Sequence, residues 1–79
     1  MNENKLRKLF ADANINYDEI QFVDDLAVVD VDGDWKHSHL YCDYLMEKHL
    51  GYKLLYSEVT EEDGSDWYRA DRVYKKVAR

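Results

Sequence analysis

The sequence SHLYCDYLMEKHLG, from Ser38 to Gly51, has the clearest helical pattern in the chain and separates two strand-like segments. Ser38 is expected to be the N-cap, because its hydroxyl can accept a bond from a free backbone N–H one turn later. Gly51 is expected to end the helix in the left-handed conformation. Apolar residues recur at the spacing of one wide helix face, which predicts packing against a sheet. They are Leu40, Tyr41, Tyr44, Leu45 and Leu50.

Before this stretch, the pattern predicts one helix and two strands. Residues 3–13 carry a narrow apolar stripe at helical spacing, and Asn14 is a plausible stop. Residues 19–23 alternate between apolar and polar, as in a short strand. Residues 26–31 are rich in β-branched side chains, which favour a strand.

The Asp32-Gly33 pair predicts a hairpin turn after residues 26–31. A two-residue turn would place Asp30 opposite Trp35. A three-residue loop would place Asp30 opposite Lys36 instead. We favour the loop, because it pairs opposite charges across the two strands.

After the central helix, residues 52–59 and 67–73 predict a second hairpin around an acidic turn at residues 60–66. Residues 75–79 form a basic tail that is expected to fray. The chain therefore predicts a single α+β domain over residues 1–79, in the order helix, hairpin, helix, hairpin (αββαββ). There is room for an extra short strand at 19–23. The sheet is expected to be antiparallel, with both helices on one face.

The composition indicates which compartment and which kinds of partner suit the chain. The formal net charge of −6 disfavours direct nucleic-acid binding, which depends on Lys and Arg side chains that neutralise phosphates. The single cysteine suits a reducing compartment. The first residues lack the apolar segment of a signal peptide, and no apolar run could span a bilayer. We therefore expect a cytoplasmic protein that binds no membrane.

The acidic residues are concentrated in two stretches with aromatic residues nearby. No Lys or Arg occurs between Lys8 and Lys36, and residues 58–66 form a second acidic cluster. Such surfaces can attract a basic partner, and aromatic side chains can anchor the interface. The predicted partner-binding residues are Asp18, Glu19, Asp24, Asp25, Asp30, Asp32, Asp34, Trp35, Glu61, Glu62, Asp63, Asp66, Trp67 and Tyr68.

Catalytic and metal-binding motifs are weak. The sequence contains no phosphate-binding loop, nucleophile elbow or metalloprotease helix, so we expect no enzyme and no cofactor. The segment DVDGDW, residues 30–35, lacks the glycine and glutamate positions of a calcium loop. A minor candidate is a zinc site with only one end of the usual paired spacing. Its ligands would be His37, His39, Cys42 and Asp43.

The leading hypothesis is a non-enzymatic acidic module that occupies a basic surface of a partner protein, such as a nucleic-acid-binding protein. In length and acidity, the chain resembles small phage-encoded inhibitors of bacterial defence or host enzymes, including anti-CRISPR proteins. That resemblance implies an inhibitor that mimics nucleic acid, and no sequence motif carries it. The first alternative is a structural or assembly protein that forms a homodimer. The second alternative is a small metal-binding protein.

Overall fold

Two helical segments and four strands make up residues 2–77, which the computed structural model describes. Helix α1 comprises Asn2–Ala13. The strands are β1 (Asn16–Val23), β2 (Leu26–Asp34), β3 (Tyr52–Glu62) and β4 (Trp67–Lys76). They form one antiparallel sheet in the order β1-β2-β4-β3, so β2 and β4 are central. The predicted α+β fold with an antiparallel sheet is confirmed.

The central helix joins β2 to β3 and has three consecutive parts. An α-helical part, Tyr41–Leu45, lies between π-helical turns at Trp35–Leu40 and Met46–Leu50. Gly51 ends it in the left-handed conformation, with φ of 74°, as predicted.

The predicted N-cap of the central helix is wrong. The helix begins earlier, and the Asp34 side chain accepts a bond from the His37 backbone N–H at 3.2 Å. Asp34 has extended backbone geometry at the end of β2, which suits an N-cap. Ser38 is instead buried inside the helix.

The predicted turn at Asp32-Gly33 is also wrong. Asp30 is therefore opposite neither Trp35 nor Lys36, the two residues that the alternative turns would have placed there. Asp32 and Gly33 lie within β2, where Asp30 is opposite Asp71 on β4. The first hairpin turns at Asp24-Asp25, and residues 19–23 belong to β1. Gly33 serves packing rather than a turn, because a Cβ there would lie 2.6 Å from the Ser38 Cβ.

The core lies between the helices and one face of the sheet. Leu6 and Phe10 of α1 and Leu45 and Met46 of the central helix belong to the same buried cluster as the sheet residues. Sheet residues in that cluster include Ile20, Ala27, Val29, Val31, Tyr52 and Tyr74. Both helices therefore cover one face, as predicted. Among residues 2–77, no helix has the length and apolar character needed to cross a membrane.

The second hairpin is longer than predicted. Strands β3 and β4 extend to Glu62 and Lys76, and Gly64 turns the chain with φ of 87°. The first residues of the predicted frayed tail are ordered, because Lys75 and Lys76 pair with β3. The Val77 N–H donates to the Gly51 carbonyl at 2.8 Å. Residues 78 and 79 of that tail lie outside the described residues.

Candidate functional site: the open face of the sheet

The sheet face opposite the helices, here called the open face, carries an acidic half. Strand pairing aligns alternate side chains into rows across β2, β4 and β3. The first acidic row contains Asp30, Asp71 and Glu58. The second contains Asp32, Arg69 and Glu61. These two rows are called the acidic rows below.

In the first acidic row, carboxylates stand directly opposite one another. Asp71 of β4 is paired with Asp30 on one side and with Glu58 on the other. Like charges in directly opposed positions destabilise a sheet, where favourable cross-strand pairs contribute about 0.2–1 kcal/mol each. The row is therefore an arrangement that folding alone does not favour.

A bulge in β1 adds two more carboxylates to this row. The pairing of β1 with β2 shifts between Tyr17 and Ile20, which leaves Asp18 and Glu19 as the extra residues. The Asp18 carboxylate forms an ion pair with Arg69. Glu19 lies near enough to Asp30 to act on its charge. Both acidic side chains therefore join the open face.

Arg69 is the cation at the centre of the acidic rows. Its guanidinium contacts Asp18, lies 3.0 Å from Asp30 and lies 3.5 Å from Glu61. One positive charge is thus shared among several carboxylates, so the acidic rows keep a negative excess.

Both burial and the neighbouring carboxylates affect the titration of Asp30. Partial burial raises the pKa of the Asp30 carboxyl, and the nearby charges of Asp71, Asp32, Glu19 and Glu61 raise it further. The pKa is raised even though Arg69 donates hydrogen bonds to both Asp30 oxygens at 3.0–3.2 Å. Burial and the surrounding acids together therefore keep the pKa of Asp30 raised despite the neighbouring cation.

Beyond the second row, a cavity of about 250 Å³ opens at the end of the sheet. Its lining residues are Asp32, Glu61, Glu62, Asp63, Trp67 and Arg69. Both tryptophans of the chain are at this end. Trp67 pairs with Asp34, and the Trp35 backbone N–H donates to the Asp66 carbonyl at 3.2 Å. The two tryptophan residues are about half exposed, at 49% for Trp35 and 48% for Trp67, and so remain accessible to a partner.

The structure brings together most of the predicted partner-binding residues. Five belong to the two acidic rows and the adjoining bulge: Asp18, Glu19, Asp30, Asp32 and Glu61. Six lie at the adjoining end of the sheet: Asp34, Trp35, Glu62, Asp63, Asp66 and Trp67.

Three predicted residues lie elsewhere. Asp24 and Asp25 form the β1–β2 turn at the opposite end of the sheet, where Asp25 is 3.9 Å from Lys75. Tyr68 is on the helix side, where its ring stacks on His39 with centroids 3.9 Å apart.

Sequence reasoning missed Asp71 and Glu58 as members of the site. Asp71 lies between Arg69 and Arg72, outside the two acidic stretches of the sequence. The useful signal was the alternation of β4, which places Arg69, Asp71 and Val73 on one face. Glu58 lay in a recognised acidic cluster, but only the pairing of β3 with β4 places it beside Asp71.

The minor metal candidates have other partners in the fold. The Asp43 carboxylate accepts bonds from Arg72 at 2.8 and 2.6 Å and from the Tyr74 hydroxyl at 2.6 Å. Because the Tyr74 proton points to Asp43, the Cys42 thiol donates to the Tyr74 oxygen at 3.1 Å. Burial raises the pKa of Cys42 to about 12, which keeps the thiol protonated.

Of the other two candidates, His39 is buried against Tyr68, and His37 is exposed. Within residues 2–77, no three His, Cys, Asp or Glu side chains are placed so that they could hold one metal ion. His39, Cys42 and Asp43 therefore hold the central helix against β4 through their bonds to Tyr68, Tyr74 and Arg72.

Comparisons of the chain with protein-family models, with curated proteins and with solved structures find no match.

Proposed function

We propose that the protein is a non-enzymatic binding module whose acidic rows occupy a basic surface of a partner protein. A nucleic-acid-binding protein is the partner class that suits this surface best, because its Lys and Arg side chains are arranged to meet negative charge. The observation that carries the proposal is the row of directly opposed carboxylates formed by Asp30, Asp71 and Glu58.

The energetic argument is that this row is unfavourable in the free protein and favourable in a complex. Opposed carboxylates repel each other across neighbouring strands. Lys or Arg side chains of a partner would replace that repulsion with attraction. A negative surface also speeds the encounter with a positive one, and salt weakens the effect.

The experiment that tests the proposal is capture of partners from cell lysate at low and at high salt, with mass spectrometry of the bound proteins. We expect a basic protein to bind at low salt and to be released at high salt. In the variant D30N/D71N/E58Q, capture should fall by about tenfold or more, since several charge contacts are lost together.

A matched control removes the same number of charges elsewhere. The variant D12N/D24N/E47Q has the same net charge, and its substitutions are exposed and lie outside the acidic rows. It should keep normal capture. Equal capture by both triple variants would show that total charge, rather than the acidic rows, recruits the partner, and the proposal would fail.

Self-association through β3 is the second candidate function. This edge strand pairs only with β4, and every residue after Tyr52 is exposed. Its exposed apolar side chains are Leu54, Leu55, Tyr56 and Val59. Two register shifts along β3 interrupt the edge and oppose simple strand addition. Sedimentation equilibrium over a wide concentration range decides the matter, since a constant monomer mass excludes this candidate.

A further inference from the structure

We infer that the partner segment on the open face is an amphipathic basic helix lying along β2 and β4, with apolar side chains in one half and Lys or Arg side chains in the other. This inference rests on the proposed function and specifies the chemistry of the partner.

The first observation is an apolar half of the open face, next to the acidic rows. The next row toward the β1–β2 turn contains Val28, Val73 and Tyr56. Val73 is only 7% exposed, but the flanking Tyr56 is 59% exposed. Nearer the β1–β2 turn, Val23 is 55% exposed and Leu26 is half-buried beside it. The same row ends in Lys75 and Lys53, whose ammonium groups each lie 3.9 Å from an acid at the margin of the face. Neither helix packs over this half, since both contribute to the buried cluster on the other face.

The second observation is the order of these rows along the strands. The apolar side chains occupy the half near the β1–β2 turn, and the carboxylates occupy the half near the cavity. A phosphate-like surface would be charged throughout. Because the open face is apolar at one end and acidic at the other, it favours an occupant whose contacting face carries apolar side chains in one half and cations in the other.

The size of the face suits one helix. Four strands at about 4.8 Å spacing place the outer strands roughly 14 Å apart, which matches a helix about 10–12 Å in diameter. Strand β2 has nine residues and spans roughly 30 Å, which is the length of a helix of about 20 residues.

A second copy of the chain is a less suitable occupant. Face-to-face packing about a two-fold axis could bring the acidic rows of one copy over Lys53 and Lys75 of the other, which are opposite each other on β3 and β4. Those two lysines are too few for the carboxylates of the acidic rows, and each already lies 3.9 Å from an acid of its own chain. The charge excess therefore favours a foreign, basic segment.

The test uses two synthetic peptides of about 20 residues with identical Leu, Ala and Lys content. In the ordered peptide, one helix face carries Leu in its first half and Lys in its second. In the shuffled peptide, the same residues are distributed around the helix. Binding is followed by the fluorescence of Trp67 and Trp35. We expect the ordered peptide to bind about tenfold tighter or more.

Variants then locate the peptide. Tyr56→Ser should weaken binding of the ordered peptide by about fivefold or more, as expected for loss of an exposed aromatic anchor. Tyr44→Ser makes the same change at a tyrosine that is 48% exposed on the central helix, and should leave binding unchanged.

Three outcomes would overturn the inference. Equal binding of both peptides would show that charge alone acts, which leaves the proposed function intact. Binding of neither peptide would exclude a helical occupant of this kind. A dimer that Tyr56→Ser converts to a monomer would assign the open face to a second copy. Failure of the proposed function itself is seen separately, in the lysate experiment with the two triple variants.

Discussion

The protonation state of His39 is set by the groups that the fold packs around it. The Tyr68 carbonyl can only accept, so His39 donates to it from Nε2–H at 3.0 Å. Nδ1 is then free to accept from Arg72, whose Nη1 is 3.4 Å away. A proton on Nδ1 would face the Arg72 cation. Burial lowers the pKa of His39, and the Arg72 charge lowers it further. The neutral His39 ring therefore helps to hold the central helix against β4.

This linkage predicts that stability falls as pH falls below the unfolded-state pKa of about 6.5. In that range the unfolded chain binds a proton at His39 and the folded chain does not. The free energy of unfolding should therefore decrease by up to about 1.4 kcal/mol per pH unit, until the lowered folded-state pKa is reached.

Urea unfolding at about pH 7.5 and about pH 5.5 measures this loss. His39→Gln should reduce the pH dependence, and the same substitution at the exposed His37 should preserve it. An unchanged pH dependence in His39→Gln would contradict the prediction.

The carboxylate of Asp71 is expected to lower the stability of the free protein, because it stands between two other carboxylates. We predict that Asp71→Asn raises the free energy of unfolding by about 1 kcal/mol, because it removes repulsion from both Asp30 and Glu58. The pKa of Asp30, followed by NMR, should fall in the same variant, since the Asp71 charge contributes to its rise. Asp12→Asn, on the exposed side of α1, is the control and should change stability little. A loss of stability in Asp71→Asn would mean that this carboxylate supports the fold.

At the scale of elements, the passage from β2 into the central helix determines where the helix lies. Asp34 ends the strand and caps the helix, and Ser38 packs directly against Gly33. Within the helix, Asp43 is bound by Arg72 of β4. Burial disfavours the Arg72 charge, but the bonds and attraction of Asp43 outweigh this and raise the pKa of Arg72. The helix is thus held over β4, which leaves the other face of the sheet open.

The close approach of Ser38 to Gly33 predicts that Gly33→Ala destabilises the protein by about 1–3 kcal/mol, as for an overpacked core. The added methyl would lie 2.6 Å from the Ser38 Cβ. Ser38→Gly should relieve this clash, so the double variant should lose less stability than the sum of the two single losses. Urea unfolding of the four proteins measures the coupling. Additive losses would show that the two residues do not press on each other.

At the scale of the whole molecule, the fold has two layers, and the open face of the sheet is the surface that we propose binds a partner. Stability comes from the apolar cluster between helices and sheet, so the open face is free to hold charges that weaken the fold. The two triple variants of the lysate experiment have the same net charge but lose carboxylates at different places. They therefore show whether binding depends on the position of the acidic rows or only on the total charge.

Local patterns in the sequence predicted both helices, the second hairpin and the left-handed Gly51. They failed where a local signal had a different use in the fold. Asp32-Gly33 has the composition of a turn, but Gly33 makes room for Ser38. Ser38 has the chemistry of a cap, but Asp34 precedes it at the end of the strand. Both errors arose because the role of a residue depended on contacts and on strand pairing that a local pattern does not specify.

By itself, the sequence determined the α+β class, the negative charge and the separation of acids from bases along the chain. These follow from composition and from periodicity, which are local properties. Only the tertiary structure decided that Asp30, Asp71 and Glu58 form one row, while Asp24 and Asp25 lie at the other end. The physical reason is strand register. Backbone pairing of β2 with β4 and of β4 with β3 joins residues far apart in the chain, and no local pattern specifies which of them meet.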